Sequence, residues 1–463
     1  MSSPTIAEIL ADFATAGETA GEAAALSGMR PYALDTLAVT LAGTICPSSR
    51  SVTQTILSAC GKPEATVIGH GRVTSAWDAA LANGAYAHAL ELDDDHRIAV
   101  LHPGAVVVPA ALGACESVNA TGRTFLRSIL VGYEVMCRLG EVFRGRQFNH
   151  GVHPTALCGV FGAAAAAAVA TGLSRDAFVC AMGIAGTQAS GLTEWRTAGT
   201  WIKRLHTGRA AHTGVLSARL AAQGFTGPAT IFEGPGGFFN AYSFGEEIHP
   251  EVLTKDLGRE YHALGTALKP YPCCRFEHGA IDLAIAAHRS GVSADEIAAI
   301  QVRIYATGVL TYHSVPKDPV DAQFNVPYAI AVALRRGAVV LSDFTDEAIR
   351  RQDILSLAKQ VTVLEDDEYT ARYPDVYCVE LRLTTKAGRL LNFNSECPSG
   401  DPDASSYRED PGLLYREAET KASSLLQECG FNDCASELSS AVTALPDADD
   451  LHRLTSVLSR RAY

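Results

Sequence analysis

Four short polar stretches hold most of the residues in this chain that could do acid–base chemistry. The first, residues 88–109, reads HALELDDDHRIAVLHPGAVVVP and contains four acids, three histidines and one arginine. The other three are 151–154 (GVHP), 199–212 (GTWIKRLHTGRAAH) and 269–278 (KPYPCCRFEH). Histidine titrates near neutral pH, and lysine and arginine attract anions. The four stretches therefore predict a site that binds an acidic substrate and moves protons.

The acidic run of the first stretch admits two interpretations. Close carboxylates repel one another, so Glu91, Asp94 and Asp95 need cations nearby or raised pKa values. A metal site is one explanation, because aspartate and histidine together suit Mn, Fe or Zn, but the spacing matches neither HExxH nor an EF-hand loop. The alternative is a solvated acidic helix end, in which Asp93 is exposed to water. We favour a loop scaffold with a solvated Asp93 and predict no metal.

Two histidines stand directly before prolines. Proline restricts the residue before it to extended backbone, so His102 and His153 are expected in irregular segments beside apolar helices. Either histidine alone is more typical of a structural residue. Together they are candidates for a fixed acid–base pair, with Glu91 or Asp94 orienting one imidazole.

The third stretch concentrates positive charge in an acidic protein. Lys203, Arg204 and His206 lie just ahead of a helix predicted to begin near Gly208, whose free backbone N–H groups would add affinity for anions. A solvated basic turn is the alternative. The interleaved Trp201 favours partial burial, and we predict a carboxylate-binding or phosphate-binding wall.

The fourth stretch lies where the sequence changes from helical to mixed character. Two prolines stiffen it, and Arg275 and His278 are three residues apart, on one face if the segment is helical. Clefts between domains are favoured ligand sites, so Lys269, Arg275 and His278 are predicted to contact the substrate. A linker with an ion pair between Arg275 and Glu277 is the alternative.

Composition excludes several classes of protein. The net charge of −13 argues against nucleic acid or an anionic membrane as a general partner. The N-terminus has no basic segment of the kind that starts a signal peptide, and no run approaches the ~20 apolar residues of a membrane span. The twelve cysteines include no CxxC pair, which gives no support to a zinc ribbon or a disulfide framework. We expect a cytoplasmic protein.

Hydrophobic periodicity predicts a mainly α fold with a smaller α+β domain. Helices are predicted at 5–27, 31–45, 50–61, 75–90, 103–119, 125–143, 156–171, 175–190, 208–223 and 323–335. Strands are predicted at 65–70, 299–305, 361–364 and 377–384, with a hairpin turn at 386–389. The large helical domain would combine both chain ends, 1–267 and 393–463, and the inserted α+β lid domain would span 268–392.

Taken together, these stretches resemble the MmgE/PrpD family, which includes 2-methylcitrate dehydratases, cis-aconitate decarboxylases and iminodisuccinate epimerases. The matching segments are HALELDDDH…HPG (88–104), GVHPTALCGVFGAAAAAA (151–168), GTWIKRLHTGRAAHTG (199–214), KPYPCCRFEHGAID (269–282) and AQFNVPYAIAVAL (322–334). Their order, their spacing and the chain length all fit the family. The resemblance spans nearly the whole chain.

The resemblance implies a homodimer that needs no cofactor. It implies a catalytic pocket lined by Glu91, His102, His153, Lys203 and His278. The further residues that we expect to contact the substrate are Asp94, Asp95, Arg204, His206, Lys269 and Arg275. Two positions depart from the family pattern, because Glu91 stands where aspartate is common and Asp95 where threonine is common.

The chemistry that the resemblance implies is proton transfer at a carbon next to a carboxylate. We expect a cofactor-independent lyase acting on a small di- or tricarboxylate, with a hydro-lyase of the 2-methylcitrate dehydratase type first. A cis-aconitate-type decarboxylase and then an iminodisuccinate-type epimerase are the alternatives. A non-catalytic carboxylate-binding relative and a metalloenzyme are the competing hypotheses from other classes.

Overall fold

The computed structural model describes residues 3–17, 20–310, 315–410 and 412–461. Helices dominate its first 250 residues. In chain order these helices are α1 (Ile6–Thr15), α2 (Ala20–Gly28), α3 (Arg30–Gly43), α4 (Pro47–Ser58), α5 (Ala76–Ala87), α6 (Gly104–Val118), α7 (Gly122–Phe143), α8 (Arg146–Asn149), α9 (Pro154–Ala170), α10 (Arg175–Gly186), α11 (Trp195–Ala198), α12 (Ile202–Ala222) and α13 (Phe238–Tyr242). The strands of this part are β1 (Ala65–Val67), β2 (Arg72–Thr74) and β3 (Asp95–His96).

The second half mixes strands and helices before returning to helix. Its strands are β4 (Thr266–Ala267), β5 (Ile297–Ile304), β6 (Val361–Glu365), β7 (Val379–Thr385) and β8 (Leu390–Ser395). Its helices are α14 (His278–Arg289), α15 (Ala306–Val309), α16 (Pro319–Ala322), α17 (Val326–Arg336), α18 (Gln352–Ala358), α19 (Asp367–Arg372), α20 (Ser405–Glu409), α21 (Leu413–Glu428), α22 (Cys434–Ala444) and α23 (His452–Leu458). Short 3-10 helices cover Pro250–Leu253, His262–Gly265, Arg275–Glu277, Ala294–Glu296, Leu341–Phe344, Ala348–Arg350 and Leu445–Asp447.

Buried apolar side chains form two main cores. The larger core combines helices of the first 222 residues with α21, α22 and α23 from the far end of the chain. The smaller core lies between a four-stranded sheet, of order β6-β5-β7-β8, and helices α14, α17 and α18. Strands β5 and β6 are parallel, whereas β7 pairs antiparallel with both β5 and β8. The predicted fold class, mainly α with a smaller α+β part, is confirmed.

Several predicted elements differ from the structure in their limits. The predicted helix 5–27 is two helices, because the backbone is extended at Ala16. The predicted strand 65–70 ends at Val67, and Gly69 follows with a φ of +73°. Helix α12 begins at Ile202 instead of near Gly208, since this glycine lies inside the helix and serves close packing. Within the described residues, no helix combines the length and apolar character needed to cross a membrane.

Helices α5 and α12 approach each other through two glycines. A Cβ on Gly208 would lie 2.2 Å from the carbonyl oxygen of Leu81, and a Cβ on Gly84 would lie 2.8 Å from the Cα of Gly208. This contact sets the position of the first turn of α12, which carries Lys203, against the end of α5. Residue Glu91 follows that end after a few residues, so the glycine contact positions two of the predicted site residues.

We expect Gly208→Ala to lower the free energy of unfolding by about 1–3 kcal/mol, because the added methyl group meets fixed backbone and forces the two helices apart. Chemical denaturation would measure the change. Gly236→Ala is the matched control, because a Cβ at Gly236 meets nothing within 4 Å. Equal stability of the two variants would show that the glycine contact does not hold the helices in place.

Candidate active site

The loop between α5 and α6 forms one wall of a cavity of about 50 Å³. The acidic, basic and imidazole side chains of this cavity are Glu91, Asp95, His102, His153, Lys203 and Arg275. Its aromatic side chains are Phe148, Trp195, Phe276 and Phe324. All four aromatic residues also line an adjoining cavity of about 480 Å³. Six of the eleven predicted site residues therefore meet in one small space.

The loop is held in strained backbone. Glu91 and Val100 both have a φ of +54°, in the left-handed region that side chains rarely adopt. Two residues distant in the sequence hold the loop by hydrogen bonds. Lys421 Nζ donates to the carbonyl of Leu92 at 2.7 Å, and Gln323 Nε2 donates to the carbonyl of Leu90 at 3.0 Å. Strain of this kind persists where the surrounding structure fixes it, and it is concentrated at functional sites.

Lys203 forms a buried ion pair with Glu91. The Nζ of Lys203 lies 2.5 Å from Glu91 Oε2, and the two side chains are 9% and 4% exposed. The ammonium also lies 5.5 Å from the ring centre of Trp195 and 5.1 Å from that of Phe324. Burial raises the pKa of Glu91, but the charges of Lys203 and His88 outweigh burial and hold this pKa at about 2. Lys203 is thus a cation at the cavity whose partner is a carboxylate.

His102 is fixed as one tautomer. Its Nδ1 lies 2.7 Å from the carbonyl oxygen of Asp94, so Nδ1–H donates and Nε2 keeps its lone pair. Its backbone N–H donates to the Thr155 hydroxyl at 3.2 Å. Burial lowers the pKa of His102 to about 3, although the carboxylate of Asp93 opposes this shift. The cavity wall therefore contains a neutral imidazole whose Nε2 makes no hydrogen bond to the residues that the structure describes.

Asp93 is fully buried, so the prediction that it is solvated was wrong. Its Oδ2 accepts a hydrogen bond from His88 Nδ1 at 2.7 Å and lies 3.8 Å from His102 Nδ1. Burial raises the pKa of Asp93, but His88 and His102 outweigh burial and hold it well below its usual range. Lys269, far along the chain, adds to this effect. The sequence alone could not show that a distant cation stabilises the acidic run.

Three further histidines, His88, His153 and His206, extend the imidazole cluster beyond His102. The Nδ1 atoms of His153 and His206 lie 3.2 Å apart, and the rings of His88 and His153 are nearly parallel with centres 6.0 Å apart. Burial lowers the pKa of His153 well below its usual value and that of His206 to about 4. His88 was not among the predicted site residues. Its signal in the sequence was its place at the end of α5, five residues before Asp93.

The neighbouring acids Asp94 and Asp95 have different surroundings. Asp94 accepts hydrogen bonds from Tyr133 Oη at 2.7 Å and from the backbone N–H of Gly104 at 2.8 Å, so its carboxyl fixes the loop to helices α6 and α7. Asp95 lines the cavity, with Oδ1 3.7 Å from His102 Nδ1. Burial raises the pKa of Asp95 to about 6 against the opposing charge of Arg275.

The fourth stretch brings Arg275 to the cavity and leaves two other predicted residues behind it. His278 is fully buried with its Nδ1 3.3 Å from Arg275 Nη1, and it does not line the cavity. Lys269 is also fully buried outside the cavity wall, and its Nζ has no hydrogen-bond partner among the described residues. Its charge lowers the pKa values of Glu91, Asp93 and Asp95, so it acts on the site through its charge.

Arg204 lies away from the cavity. Its guanidinium donates to the Ser48 hydroxyl at 2.9 Å, and it lines a different cavity of about 210 Å³. The helical position explains this, because Lys203 and Arg204 are consecutive on α12 and point about 100° apart. In the part of the chain that the structure describes, no group of three His, Cys, Asp or Glu side chains is arranged to hold a metal ion.

The aromatic side of the cavity was not foreseen. Trp195 lies on the short helix α11, Phe148 on α8, and Phe276 in the 3-10 turn after Cys274. The signal for Phe324 was its place in AQFNVPY, next to Gln323, whose side chain holds the carbonyls of Leu90 and Pro272. The others carry no local pattern that distinguishes them from core aromatics.

Comparison with known proteins identifies the family. A model described as the MmgE/PrpD N-terminal domain matches residues 8–251, and one described as the MmgE/PrpD C-terminal domain matches residues 271–410. A cis-aconitate decarboxylase of Aspergillus terreus is 29% identical over 397 residues, which is 79% of each chain. The cis-aconitate decarboxylase-like protein oryM of Aspergillus oryzae is 27% identical over 449 residues, covering 92% of this chain and 91% of the relative. The cis-aconitate decarboxylase of Mus musculus is 27% identical over 402 residues, covering 82% and 78%. The protein belongs to the MmgE/PrpD family and is a lyase of that type.

Proposed function

We propose that the protein decarboxylates a small unsaturated tricarboxylate of the cis-aconitate class. The observation that carries this proposal is that cationic, imidazole and aromatic side chains line one cavity. Lys203, Arg275 and His102 lie in its wall together with Trp195 and Phe324, and the Lys203 ammonium is 5.5 Å and 5.1 Å from the centres of those two rings. The names of the relatives support decarboxylation ahead of the hydro-lyase that we expected first from the sequence.

The cationic and the aromatic side chains of the cavity suit the two products of decarboxylation. A carbon–carbon bond breaks, its electron pair enters the conjugated system, and the double bond shifts by one position. Lys203 and Arg275 would bind the carboxylates that remain and stabilise the negative charge that develops between them. The departing group becomes neutral, apolar CO₂, and the rings of Trp195 and Phe324 favour a group without charge over a hydrated carboxylate.

His102 would supply the proton that completes the reaction. The negative charge of the bound substrate would raise the pKa of His102 and so oppose the effect of burial. Substrate binding would therefore favour protonation of Nε2. That proton then passes to the carbanion left by CO₂, at the far end of the allylic system. The Asp94 carbonyl holds Nδ1–H throughout, and the carboxylate of Asp93, 3.8 Å from Nδ1, stabilises the charged ring.

A hydro-lyase acting on a 2-methylcitrate-like hydroxy acid is the second candidate, because one observation favours it. Dehydration needs a base for the C–H bond and an acid for the leaving hydroxyl. His102 Nδ1 is bound to the Asp94 carbonyl, which leaves Nε2 as the acceptor, and Asp95 has a pKa raised by burial to about 6. His102 would take the proton from carbon, and Asp95 would give one to the hydroxyl, which leaves as water.

Proton NMR in D₂O with four substrates separates these functions. We expect cis-aconitate to disappear with formation of CO₂ and an unsaturated dicarboxylate that carries one deuterium. Loss of water from 2-methylcitrate or citrate without decarboxylation would favour the hydro-lyase, and stereochemical scrambling of iminodisuccinate would favour the epimerase. Inertness towards all four compounds would overturn the proposal. Calorimetric binding without turnover would then indicate a carboxylate-binding protein.

A further inference from the structure

Three buried polar atoms of the cavity wall have no hydrogen-bond partner among the residues that the structure describes. They are Nε and Nη2 of Arg275 and Oδ2 of Asp95. Both side chains line the cavity, and the two residues are only 2% and 4% exposed. Leaving a buried polar group unpaired costs about 1–3 kcal/mol. Unpaired donors and an unpaired carboxyl oxygen on one cavity wall indicate a ligand that pairs with them.

Arg275 is held by the opposite edge of its guanidinium. Its Nη1 donates to the carbonyl of Ser399 at 2.8 Å and lies 3.3 Å from His278 Nδ1. Asp401 Oδ2 forms an ion pair with Nη2 at 3.6 Å, a distance too long for a hydrogen bond. Nε and Nη2, which make no hydrogen bond among the described residues, form one side of the planar group, and this side matches the two oxygens of a carboxylate with parallel N–H bonds.

Asp95 is fixed by the backbone, because strand β3 pairs antiparallel with β4 and places Asp95 opposite Ala267. Several charged or titratable side chains act on it or feel its charge: Arg275, Lys269, Lys203, His102, Asp93, Tyr305, Tyr373 and Tyr377. An ionised Asp95 would repel a carboxylate bound at Arg275. A protonated Asp95 would donate a hydrogen bond to it.

We propose that Asp95 and the Nε–Nη2 edge of Arg275 form a carboxylate subsite, in which Asp95 donates its own proton to the substrate carboxylate that Arg275 binds. The subsite rests on the proposed function only in taking the substrate to be a polycarboxylate. Asp95 is then a specificity residue, because it selects a negatively charged acceptor at this place in the substrate. The proton on Asp95 also explains why this carboxyl group can stand next to a bound carboxylate without repelling it.

The subsite makes binding depend on pH in a defined direction. Burial raises the pKa of Asp95 to about 6, so above this pH the free protein has mostly ionised Asp95. Ligand binding must then take up a proton at Asp95, and its contribution weakens affinity by up to about tenfold for each unit of rising pH. Below the pKa the carboxyl is already protonated, and its contribution to affinity is constant.

Calorimetric titration with cis-aconitate at pH 7.5 tests the subsite. His102→Asn serves as the background, because it slows turnover and removes the proton expected on that imidazole. Titrations in two buffers of different ionisation enthalpy give the number of protons taken up. We expect adding Asp95→Asn to lower this number by about one, because the amide donates N–H at every pH. Asp295→Asn is the matched control, since its carboxylate is 78% exposed and pairs with Arg335.

Each outcome of this experiment decides the proposal. Equal proton uptake with and without Asp95→Asn would overturn the subsite, and turnover of cis-aconitate by the unaltered protein would leave the proposed function standing. Absence of both binding and turnover of cis-aconitate with the unaltered protein would overturn both. Arg275→Lys gives an independent measurement, because it keeps the charge and removes the paired donors. We expect this variant to bind cis-aconitate about tenfold or more weakly, and unchanged affinity would also overturn the subsite.

Discussion

Replacing Lys203 with methionine is expected to lower kcat/KM by about 10²–10³-fold, because it removes a preorganised positive charge from the place where negative charge develops. Methionine keeps most of the length of the side chain and its contact with Trp195 and Phe324. Glu91 would lose the cation 2.5 Å away that opposes the effect of burial, so its pKa should rise. Steady-state kinetics with cis-aconitate would measure the loss of activity.

Arg204→Met is the matched control for this loss. Arg204 follows Lys203 on α12 and carries the same charge, but its guanidinium contacts Ser48 and lines a separate cavity. We expect kcat/KM to change less than about threefold, as for residues that touch neither substrate nor its binding groups. Equal losses in the two variants would contradict the placement of the substrate at Lys203. They would favour the broader basic wall that the sequence predicted.

Replacing His102 with asparagine is expected to lower kcat by about 10²–10⁴-fold, the usual contribution of a positioned acid–base group. Asparagine is chosen because its side-chain N–H can still donate to the Asp94 carbonyl, as Nδ1–H of His102 does at 2.7 Å. It has no counterpart of Nε2. The variant therefore removes the proton-transfer atom and keeps the hydrogen bond that holds the loop, which thermal unfolding would verify.

His212→Asn is the control for a histidine on the neighbouring helix. His212 lies on α12 with its Nδ1 3.1 Å from Arg209 Nη1, and it does not line the cavity. We expect wild-type kinetics from this variant. Retained activity in His102→Asn, with a folded protein, would show that another group moves the proton, and His153 would be the next candidate in the cavity wall.

Local patterns in the sequence predict the fold well and the site in part. Alanine-rich and leucine-rich periodicity located most helices, and the alternation of β7 together with the turn before β8 located the hairpin. The histidines before prolines and the lysine of α12, which we predicted as walls of one site, line one cavity. The fold prediction succeeded because it depends on patterns within a few residues.

The remaining features depend on contacts between residues far apart in the chain. Lys203 and Glu91 are 112 residues apart, and no pattern near either residue predicts that they form an ion pair. Asp93 was predicted to be solvated, and this was wrong. The positive charges that stabilise its buried carboxylate come from His88, His102 and the distant Lys269, and the local sequence does not show that they lie nearby. In the fourth stretch, Arg275 and His278 were both predicted to contact the substrate. The three-dimensional course of the 3-10 turn places only Arg275 in the cavity wall.

Two predictions concern the larger organisation of the molecule. The lid domain is predicted to span 268–392, and limited proteolysis should cut near these limits before it cuts elsewhere. The homodimer implied by the family resemblance should appear in sedimentation equilibrium as twice the chain mass of 48.9 kDa.

Activity in thoroughly dialysed protein would test the expectation that no cofactor is needed.

A crystal structure with tricarballylate, the saturated analogue of cis-aconitate, tests the central claim most directly. This ligand has the three carboxylates but no double bond to receive the electron pair, so it should bind without reacting. We predict one carboxylate within hydrogen-bond distance of Lys203 Nζ, a second on the Nε–Nη2 edge of Arg275, and the carbon chain beside His102 Nε2. A ligand lying wholly in the adjoining cavity of about 480 Å³, with no contact to Lys203 or His102, would contradict the account.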